Sequence, residues 1–315
     1  MNRDWRRLTK QAVQWTTVIV TIVVLVRIGR KHGNDLQDLD LNFNFFWLVN
    51  AAIAVVVANL MLPLGWRSLI SSFGKTVAAG RAVRLWCLAQ TARYLPTGLV
   101  AVVSRVHLAQ KEGLSRSLTI ASVAIETAAL LCWSIVFCAI FVPSTTFPDA
   151  MRWVAGTASA AALLAAPWLL SQGSNQLSRL VKLDIASPNP NQLLKALTVL
   201  GTSVAVRGAG TVCLAAGFLR IDSSDVPLLI GATYASVVAG MVGITPAGLG
   251  VREGVMTAIL ATRFGLADAA AFALFVRAWE FAFEMLFLAG ASWWGRSRRL
   301  PRDSGGDLSD TKGKM

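Results

Sequence analysis

Apolar runs about as long as a bilayer is thick constrain this chain most. A run of about 20 apolar residues crosses a membrane as a helix, whereas an outer-membrane barrel would show alternating segments of about 10 residues. Charged residues make up only 15% of the chain, against about 25% in soluble domains. We therefore predict an all-α, polytopic membrane bundle. The predicted full spans are about 12–28, 43–65, 117–142, 150–171, 193–218 and 267–292.

The distribution of basic residues predicts the orientation of the chain. Lys and Arg concentrate in cytoplasmic loops of membrane proteins, which accounts for most of the net charge of +13. We expect both termini in the cytoplasm, a plasma (inner) membrane location and anionic lipid headgroups, not nucleic acid, as charged neighbours. We expect one membrane domain, 1–295, and a disordered tail, 296–315. The terminal basic residues are Arg3, Arg6, Arg7, Lys10, Arg296, Arg298, Arg299 and Arg302.

Two further apolar segments are interrupted by proline and glycine. Segment 82–110 contains Pro96 and Gly98, and segment 226–264 contains Pro246, Gly248 and Gly250. Proline removes a backbone donor and glycine tolerates unusual backbone shapes, so each break should end a helix at membrane depth. Freed backbone groups there must be buried in protein or face water. We predict two re-entrant hairpins at a cavity, giving about eight membrane segments.

The two interruptions share a local pattern. Pro96-Thr97-Gly98-Leu99 matches Pro246-Ala247-Gly248-Leu249 at an offset of 150 residues, and the spans before and after follow the same spacing. Interrupted segments at corresponding places in two halves are typical of inverted-topology repeats. We predict a 3+3 inverted repeat with halves at about 12–142 and 150–292. A kinked helix without a ligand is the alternative for each break.

Charged residues inside the apolar runs are the candidate site. Such charges are costly in a bilayer and usually functional, although internal ion pairs that only orient helices are the alternative. We expect arginines, Arg93, Arg105 and Arg252 first among them, to bind phosphate. Glu126, Glu253 and Glu280 are expected to bind a cation or a proton. The full set of predicted substrate-binding residues is Arg93, Pro96, Gly98, Arg105, Glu126, Arg207, Pro246, Gly248, Gly250, Arg252, Glu253, Arg277, Glu280 and Glu284.

Other residue types point to no further chemistry. The sequence has two isolated histidines and no HExxH, Walker A, G-x-S-x-G or D-D-x-x-D motif. Its four cysteines lack CxxC spacing, which favours buried apolar roles. Most tryptophans, including Trp66 and Trp86, lie near predicted span ends, as in interfacial belts. We expect no metal, no cofactor and no enzymatic activity. An intramembrane enzyme, or an accessory subunit acting on a lipid-linked substrate, is the alternative.

The motifs resemble a known family. Tyr94-Leu95-Pro96-Thr97-Gly98 followed by Arg105 and Glu126 is similar to its first half, and Pro246, Gly248, Gly250 and Glu253 are similar to its second half. This is the flippase-like family named for the transmembrane region of lysylphosphatidylglycerol synthase. The resemblance covers nearly the whole chain and implies an inner-membrane helical bundle with re-entrant hairpins.

The same resemblance implies lipid translocation. Members of the family carry aminoacylated phosphatidylglycerol between leaflets, and others are linked to polyprenyl-linked or other lipid intermediates. This chain has Glu126-Thr127 where the family often has Glu-Arg, which bears on whether the headgroup is shared. It also has no long cytoplasmic synthase domain in its 315 residues, so we expect no aminoacyl transfer by this chain alone. A homo-oligomer is compatible with these features.

Overall fold

The computed structural model describes residues 44–90, 99–144, 146–181, 186–242, 248 and 250–294. Within these ranges the chain is helical and contains no strand. The all-α prediction is therefore confirmed for this part. The predicted first span, about 12–28, and the tail, 296–315, lie outside the described residues, as do 91–98 and 243–247 at the two interruptions.

The described helices follow one another with short connections. They are α1 (Phe45–Ser72), α2 (Ala79–Gln90), α3 (Leu99–Gln110), α4 (Arg116–Phe141), α5 (Asp149–Val181), α6 (Pro190–Phe218), α7 (Val226–Val242), α8 (Val251–Phe264) and α9 (Leu266–Trp294). Five segments are long and apolar enough to cross a membrane, which makes the chain a multi-pass membrane protein. These segments are Phe45–Ser72, Arg116–Phe141, Asp149–Gly173, Pro190–Phe218 and Ser223–Val242.

Polar residues fix the starts of several helices. Ser115 accepts a hydrogen bond from the Leu118 amide at 3.2 Å before α4. Asn189 accepts from the Asn191 amide at 3.0 Å before α6, whose first residue is Pro190. These caps satisfy amides that have no partner inside the helix, and proline is tolerated at a first position. The starts predicted from the apolar runs, about 117 and 193, therefore fall within a few residues of the observed ones.

One predicted span end was wrong. The span predicted to end at about 65 continues to Ser72 as α1, with Pro63 inside it. Beyond the proline, Trp66, Leu69 and Ile70 are fully buried, and this packing offsets the hydrogen bond that proline removes. The span predicted at about 150–171 agrees with the apolar segment Asp149–Gly173, and its helix, α5, continues beyond that segment to Val181.

Helices α1 and α6 form the most extensive contact between the described helices. A Cβ atom added at Gly65 would lie 2.7 Å from Leu200 Cδ2, and one at Gly210 would lie 2.9 Å from Ala54 Cβ. Larger residues at these positions would push the helices apart. Small residues at the interface bring helix backbones close inside a membrane, where packing replaces the hydrophobic effect as the force between helices.

The second half of the described chain repeats the helix order of the first. Helix α4 begins at Arg116 and α9 at Leu266, an offset of 150, while the short pair α2–α3 corresponds to α7–α8. Helix contacts correspond as well: α4 packs against α7, and α9 packs against α2. Contacts of α1 with α2, α4 and α9 have counterparts in contacts of α6 with α7, α9 and α4.

Each short helix pair folds back on itself. Arg81, near the start of α2, forms an ion pair with Glu112, just after α3, at 3.1 Å. In the second half, Arg263 near the end of α8 contacts Asp225, just before α7, at 2.8 Å. Both ion pairs lie at the end of their helix pair opposite the interruption. The described parts of the two helices of each pair are thus antiparallel.

Candidate functional site

A cavity of about 550 Å³ lies among α1, α2, α3, α4, α6, α7 and α9 and reaches the start of α8. The described wall of this cavity contains charged residues from both halves of the chain, which lie far apart in the sequence. The predicted site residues that line it are Arg105, Glu126, Arg207, Gly248, Arg252, Arg277, Glu280 and Glu284.

Glu280 is the centre of the charged group in the second half. Its carboxylate lies 3.1 Å from Nη1 of Arg207, 3.4 Å from Nη2 of Arg252 and 4.0 Å from Nη1 of Arg277. The Glu280 side chain is 12% exposed. We call Arg207, Arg252, Arg277 and Glu280 the arginine cluster. One carboxylate thus neutralises part of the charge of three guanidinium groups.

Two neighbouring side chains support the arginine cluster. Nη2 of Arg207 donates to Oδ1 of Asn59 on α1 at 2.8 Å. Nε of Arg277 lies 3.3 Å from Oε1 of Glu253 on α8. The other Glu253 oxygen accepts a hydrogen bond from the Gly250 amide at 2.7 Å. Glu253 therefore caps its own helix and also orients Arg277. Within the arginine cluster, Arg252 is paired with Glu280.

Glycines on both sides of the second interruption position Arg252. A Cβ atom added at Gly240 would lie 2.8 Å from Cδ of Arg252 and closer still to its Cγ. Gly248 has φ +68°, which favours glycine, and a Cβ atom there would lie 2.9 Å from Gly240 Cα. The absence of both side chains lets the end of α7 and the start of α8 approach with the Arg252 stem between them. Gly250, at φ +82°, precedes the first residue of α8.

Arg105 and Glu126 form a second charged group, which we call the buried pair. They make an ion pair, and the residues are 6% and 4% exposed. The Arg105 guanidinium carbon lies 5.5 Å from the ring centroids of both Trp66 and Trp86. Nε1 of Trp86 also donates to Glu126 at 2.9 Å. The buried pair is neutral as a unit, and aromatic rings enclose its cation.

The interfacial assignment of Trp66 and Trp86 was wrong. Both are buried, at 0% and 5% exposure. Nε1 of Trp66 donates to Ser122 Oγ at 3.0 Å. Each ring lies over the Arg105 guanidinium while its N–H group donates to a polar partner inside the bundle, so both requirements of a buried tryptophan are met within the protein.

The remaining predicted site residues have different positions. Arg93, Pro96, Gly98 and Pro246 lie outside the described residues. Glu253 contacts the cavity wall through Arg277, and Gly250 adjoins it in the cap of α8. Arg277, Glu280 and Glu284, spaced three and four residues apart on α9, all line the cavity. The substrate-binding roles of all of these residues stay predictions.

Several residues of the wall were missed by sequence reasoning. Asn59, 7% exposed, could have been found as one of two asparagines in the apolar run of α1, the other being Asn50. Tyr234 lines the cavity, and its hydroxyl donates to the Val204 carbonyl at 2.5 Å, above Gly208. A single sequence carries no signal for this contact or for Gly240. Among the described residues, no group of three or more His, Cys, Asp or Glu is placed to hold a metal ion.

A family model described as Lysylphosphatidylglycerol synthase TM region matches residues 14–287. The match includes all helices that line the cavity and ends within α9, beyond Glu284. No curated protein matches the chain. The resemblance read from the proline–glycine motifs is confirmed by the family match.

Proposed function

The chain belongs to the Lysylphosphatidylglycerol synthase TM region family, and from this premise we propose that it moves a lipid between the leaflets of its membrane. The substrate in this proposal is a phospholipid, such as an aminoacylated phosphatidylglycerol, or a polyprenyl-linked lipid. Its headgroup occupies the cavity while its hydrocarbon chains remain in the bilayer. The observation that carries the proposal is the arginine cluster, a group of charges in a cavity between membrane helices.

The donors of the arginine cluster suit a phosphate. Each guanidinium presents five N–H groups in a planar fork that matches phosphate oxygens. Three arginines face two carboxylates, Glu280 and Glu253, so this part of the site carries a formal charge of +1. A phosphodiester with a single negative charge would balance it. A polar headgroup crossing a bilayer needs such compensation, because an unpaired charge in an apolar environment is very costly.

Glu284 supplies a negative charge beside the cluster. It lines the cavity one helical turn beyond Glu280 on α9. In the proposal, an amine of the headgroup lies near the carboxylates of the cavity, Glu284 among them, while the phosphate meets the arginines. Glu126, which we predicted for the same role, is already paired with Arg105. The proposal keeps the prediction that an amine or a proton of the substrate meets a carboxylate of this cavity.

The proposal includes an inverted repeat with two re-entrant hairpins. Support comes from the offset of 150 between α4 and α9, from the corresponding helix contacts, and from the ion pairs that close each short helix pair. Helices α2 and α3 have 12 residues each. At 1.5 Å per residue each is about 18 Å long, too short for a hydrocarbon layer of about 30 Å, so this length argument supports the first hairpin. In the second pair, Ser223–Val242 is long enough to cross a membrane.

We further propose a plasma (inner) membrane location, with both termini in the cytoplasm. The basic residues near both ends of the sequence support this orientation. The substrate in this proposal crosses the membrane without covalent change, so the chain acts as a transporter and not as an enzyme. Anionic lipid headgroups are the neighbours we propose for the terminal basic residues.

Reconstitution of the purified protein into vesicles tests the proposal. Fluorescently labelled aminoacylated phosphatidylglycerol, phosphatidylglycerol and a polyprenyl phosphate would each be tested, with a membrane-impermeant reductant reporting the label in the outer leaflet. Arg252→Gln should abolish movement of the substrate lipid, because it removes a guanidinium from the cluster. Arg81→Gln removes an arginine whose side chain is 66% exposed at the surface and serves as the matched control.

Thermal stability must be measured beside lipid movement. The proposal fails if the parent protein moves none of these lipids, or if Arg252→Gln moves them at the parent rate. It also fails if the loss of movement in Arg252→Gln is accounted for by lost stability, because the cluster would then be structural.

A further inference from the structure

Helices α4 and α7 are in close contact at one end. A Cβ atom added at Gly231 on α7 would lie 2.8 Å from backbone atoms of Phe141 and Val142 at the end of α4. One turn further along, the rings of Phe137 and Tyr234 stack with centroids 5.0 Å apart. Residue numbers fall along α4 as they rise along α7, so the two helices are antiparallel.

Beyond this contact the facing residues of the two helices line the cavity. They include Thr127, Leu130 and Ser134 on α4, and Val237 and Met241 on α7; Glu126 on α4 also lines the cavity. Continuing the antiparallel register from Phe137 and Tyr234 places Met241 at about the level of Leu130. Between α4 and α7, the cavity therefore lies towards the start of α4 and the end of α7, away from the close contact of Gly231 with Phe141.

Thr127 and Met241 belong to the cavity wall and also to the outer surface of the bundle. Both are exposed, Met241 by 40%. Thr127 lies on the same side of α4 as Ile120 and Ala124, seven and three residues earlier, which are exposed and are not part of the wall. A residue that lies both on the cavity wall and on the outer surface of the bundle marks the edge of an opening.

The chemistry of this edge is apolar, in contrast to the interior. The Thr127 hydroxyl donates to the Val123 carbonyl of its own helix at 2.8 Å. Leu130, Val237 and Met241 complete the edge. The arginine cluster lies in the same cavity, so the wall changes from charged to apolar within one continuous space. A lipid shows the same change along its length, from a charged headgroup to apolar chains.

We propose that the cavity opens sideways to the membrane between α4 and α7, and that the hydrocarbon chains of the substrate lipid leave it there, past Thr127 and Met241. We call this opening the lateral mouth. The inference rests on the proposed function, since it takes the headgroup to lie at the arginine cluster. It adds the position at which the chains of that lipid cross the wall of the bundle.

Neighbouring residues provide matched variants for a test. Thr127→Trp and Met241→Trp place a large ring in the lateral mouth. Ala128→Trp and Val242→Trp place the same ring one residue further on, at exposed positions outside the cavity wall. In the vesicle assay, Thr127→Trp and Met241→Trp should slow lipid movement by about tenfold or more, whereas Ala128→Trp and Val242→Trp should keep the parent rate. Equal rates within each pair would overturn the lateral mouth.

Photo-crosslinking gives a second measurement that does not depend on tolerance of a bulky residue. A substrate lipid with a photoreactive group in its acyl chain should label the segment containing Met241 in the parent protein, and Arg252→Gln should reduce this labelling. Labelling near Leu164 on α5, 74% exposed, reports ordinary membrane lipid and should not change. Equal labelling at Met241 in the parent protein and in Arg252→Gln would show that the label there comes from ordinary membrane lipid, and the lateral mouth would be rejected.

The two proposals can fail separately. If the parent moves lipid and Arg252→Gln does not, while all four tryptophan variants behave alike, the proposed function stands and the lateral mouth is wrong. If the parent moves no lipid, both are wrong. Slow movement in Thr127→Trp and Met241→Trp alone, at unchanged thermal stability, supports both.

Discussion

Replacing Gly240 by alanine tests how Arg252 is positioned. The added Cβ atom would lie 2.8 Å from Arg252 Cδ and closer to Cγ. Carbon atoms do not approach to that distance, so the arginine stem must move and its guanidinium must leave Glu280, now 3.4 Å away. Overpacking of this kind costs about 1–3 kcal/mol. We expect Gly240→Ala to destabilise the protein and to slow lipid movement.

Gly254→Ala is the matched control. Gly254 is on α8, two residues beyond Arg252, and a Cβ atom there would meet nothing within 4 Å. Alanine is favoured over glycine inside a helix by about 0.5–1 kcal/mol, a gain that both variants share. The difference between their unfolding free energies in mixed detergent micelles therefore isolates the steric contribution, which we expect to be about 1–3 kcal/mol.

A double variant identifies the atoms responsible. Arg252→Ala removes Cγ and Cδ, so adding Gly240→Ala to it should cost nothing further and should resemble Gly254→Ala. The non-additivity measured by this cycle is the coupling between the two positions. The reasoning is refuted if Gly240→Ala is as stable as Gly254→Ala, or if its cost is the same with and without the arginine side chain.

Two further substitutions test the arginine cluster. Glu280→Gln should lower the unfolding free energy by about 3–5 kcal/mol, the cost of leaving buried charges unpaired. Glu112→Gln, which breaks an exposed ion pair, should cost at most about 1 kcal/mol. Equal changes in the melting temperature of the two variants would contradict this prediction. Asn59→Leu should misplace Arg207 and cost about 1–3 kcal/mol through a lost buried partner. Asn50→Leu, whose amide donates to the Phe46 carbonyl of the same helix, controls for the change in polarity, and vesicle assays of both variants complete the test.

Helix positions could be predicted from the sequence wherever an apolar run alone determines them. The predicted span 117–142 corresponds to α4, Arg116–Phe141, and 193–218 corresponds to α6, Pro190–Phe218. The end of α1 could not be predicted in this way, because its last turns remain helical through tertiary burial of Leu69 and Ile70. Local signals such as Pro63 were outweighed by packing that involves distant helices.

The membership of the candidate site was easier to predict than its pairings. Charges are expensive inside apolar helices, so Arg207, Glu280 and Glu126 could be selected without knowledge of the fold. The ion pair between Arg207 and Glu280, however, joins residues 73 positions apart, and the bond from Arg207 to Asn59 joins residues 148 apart. Sequence spacing within one helix gives the face of a residue but not its partner across the bundle.

The two charged groups of the cavity are electrostatically different, although they come from corresponding halves of the chain. In the buried pair, one carboxylate meets one guanidinium, Trp66 and Trp86 occupy the space around the cation, and both charged residues are almost inaccessible. A headgroup could bind there only by breaking a buried ion pair, which costs several kcal/mol. In the arginine cluster, three guanidiniums share Glu280, and their side chains are 12–25% exposed. A phosphate arriving there adds acceptor oxygens to a group in which three guanidiniums lie beside two carboxylates, Glu280 and Glu253. The headgroup should therefore bind in the second half, while the buried pair of the first half holds α3 against α4 beside it.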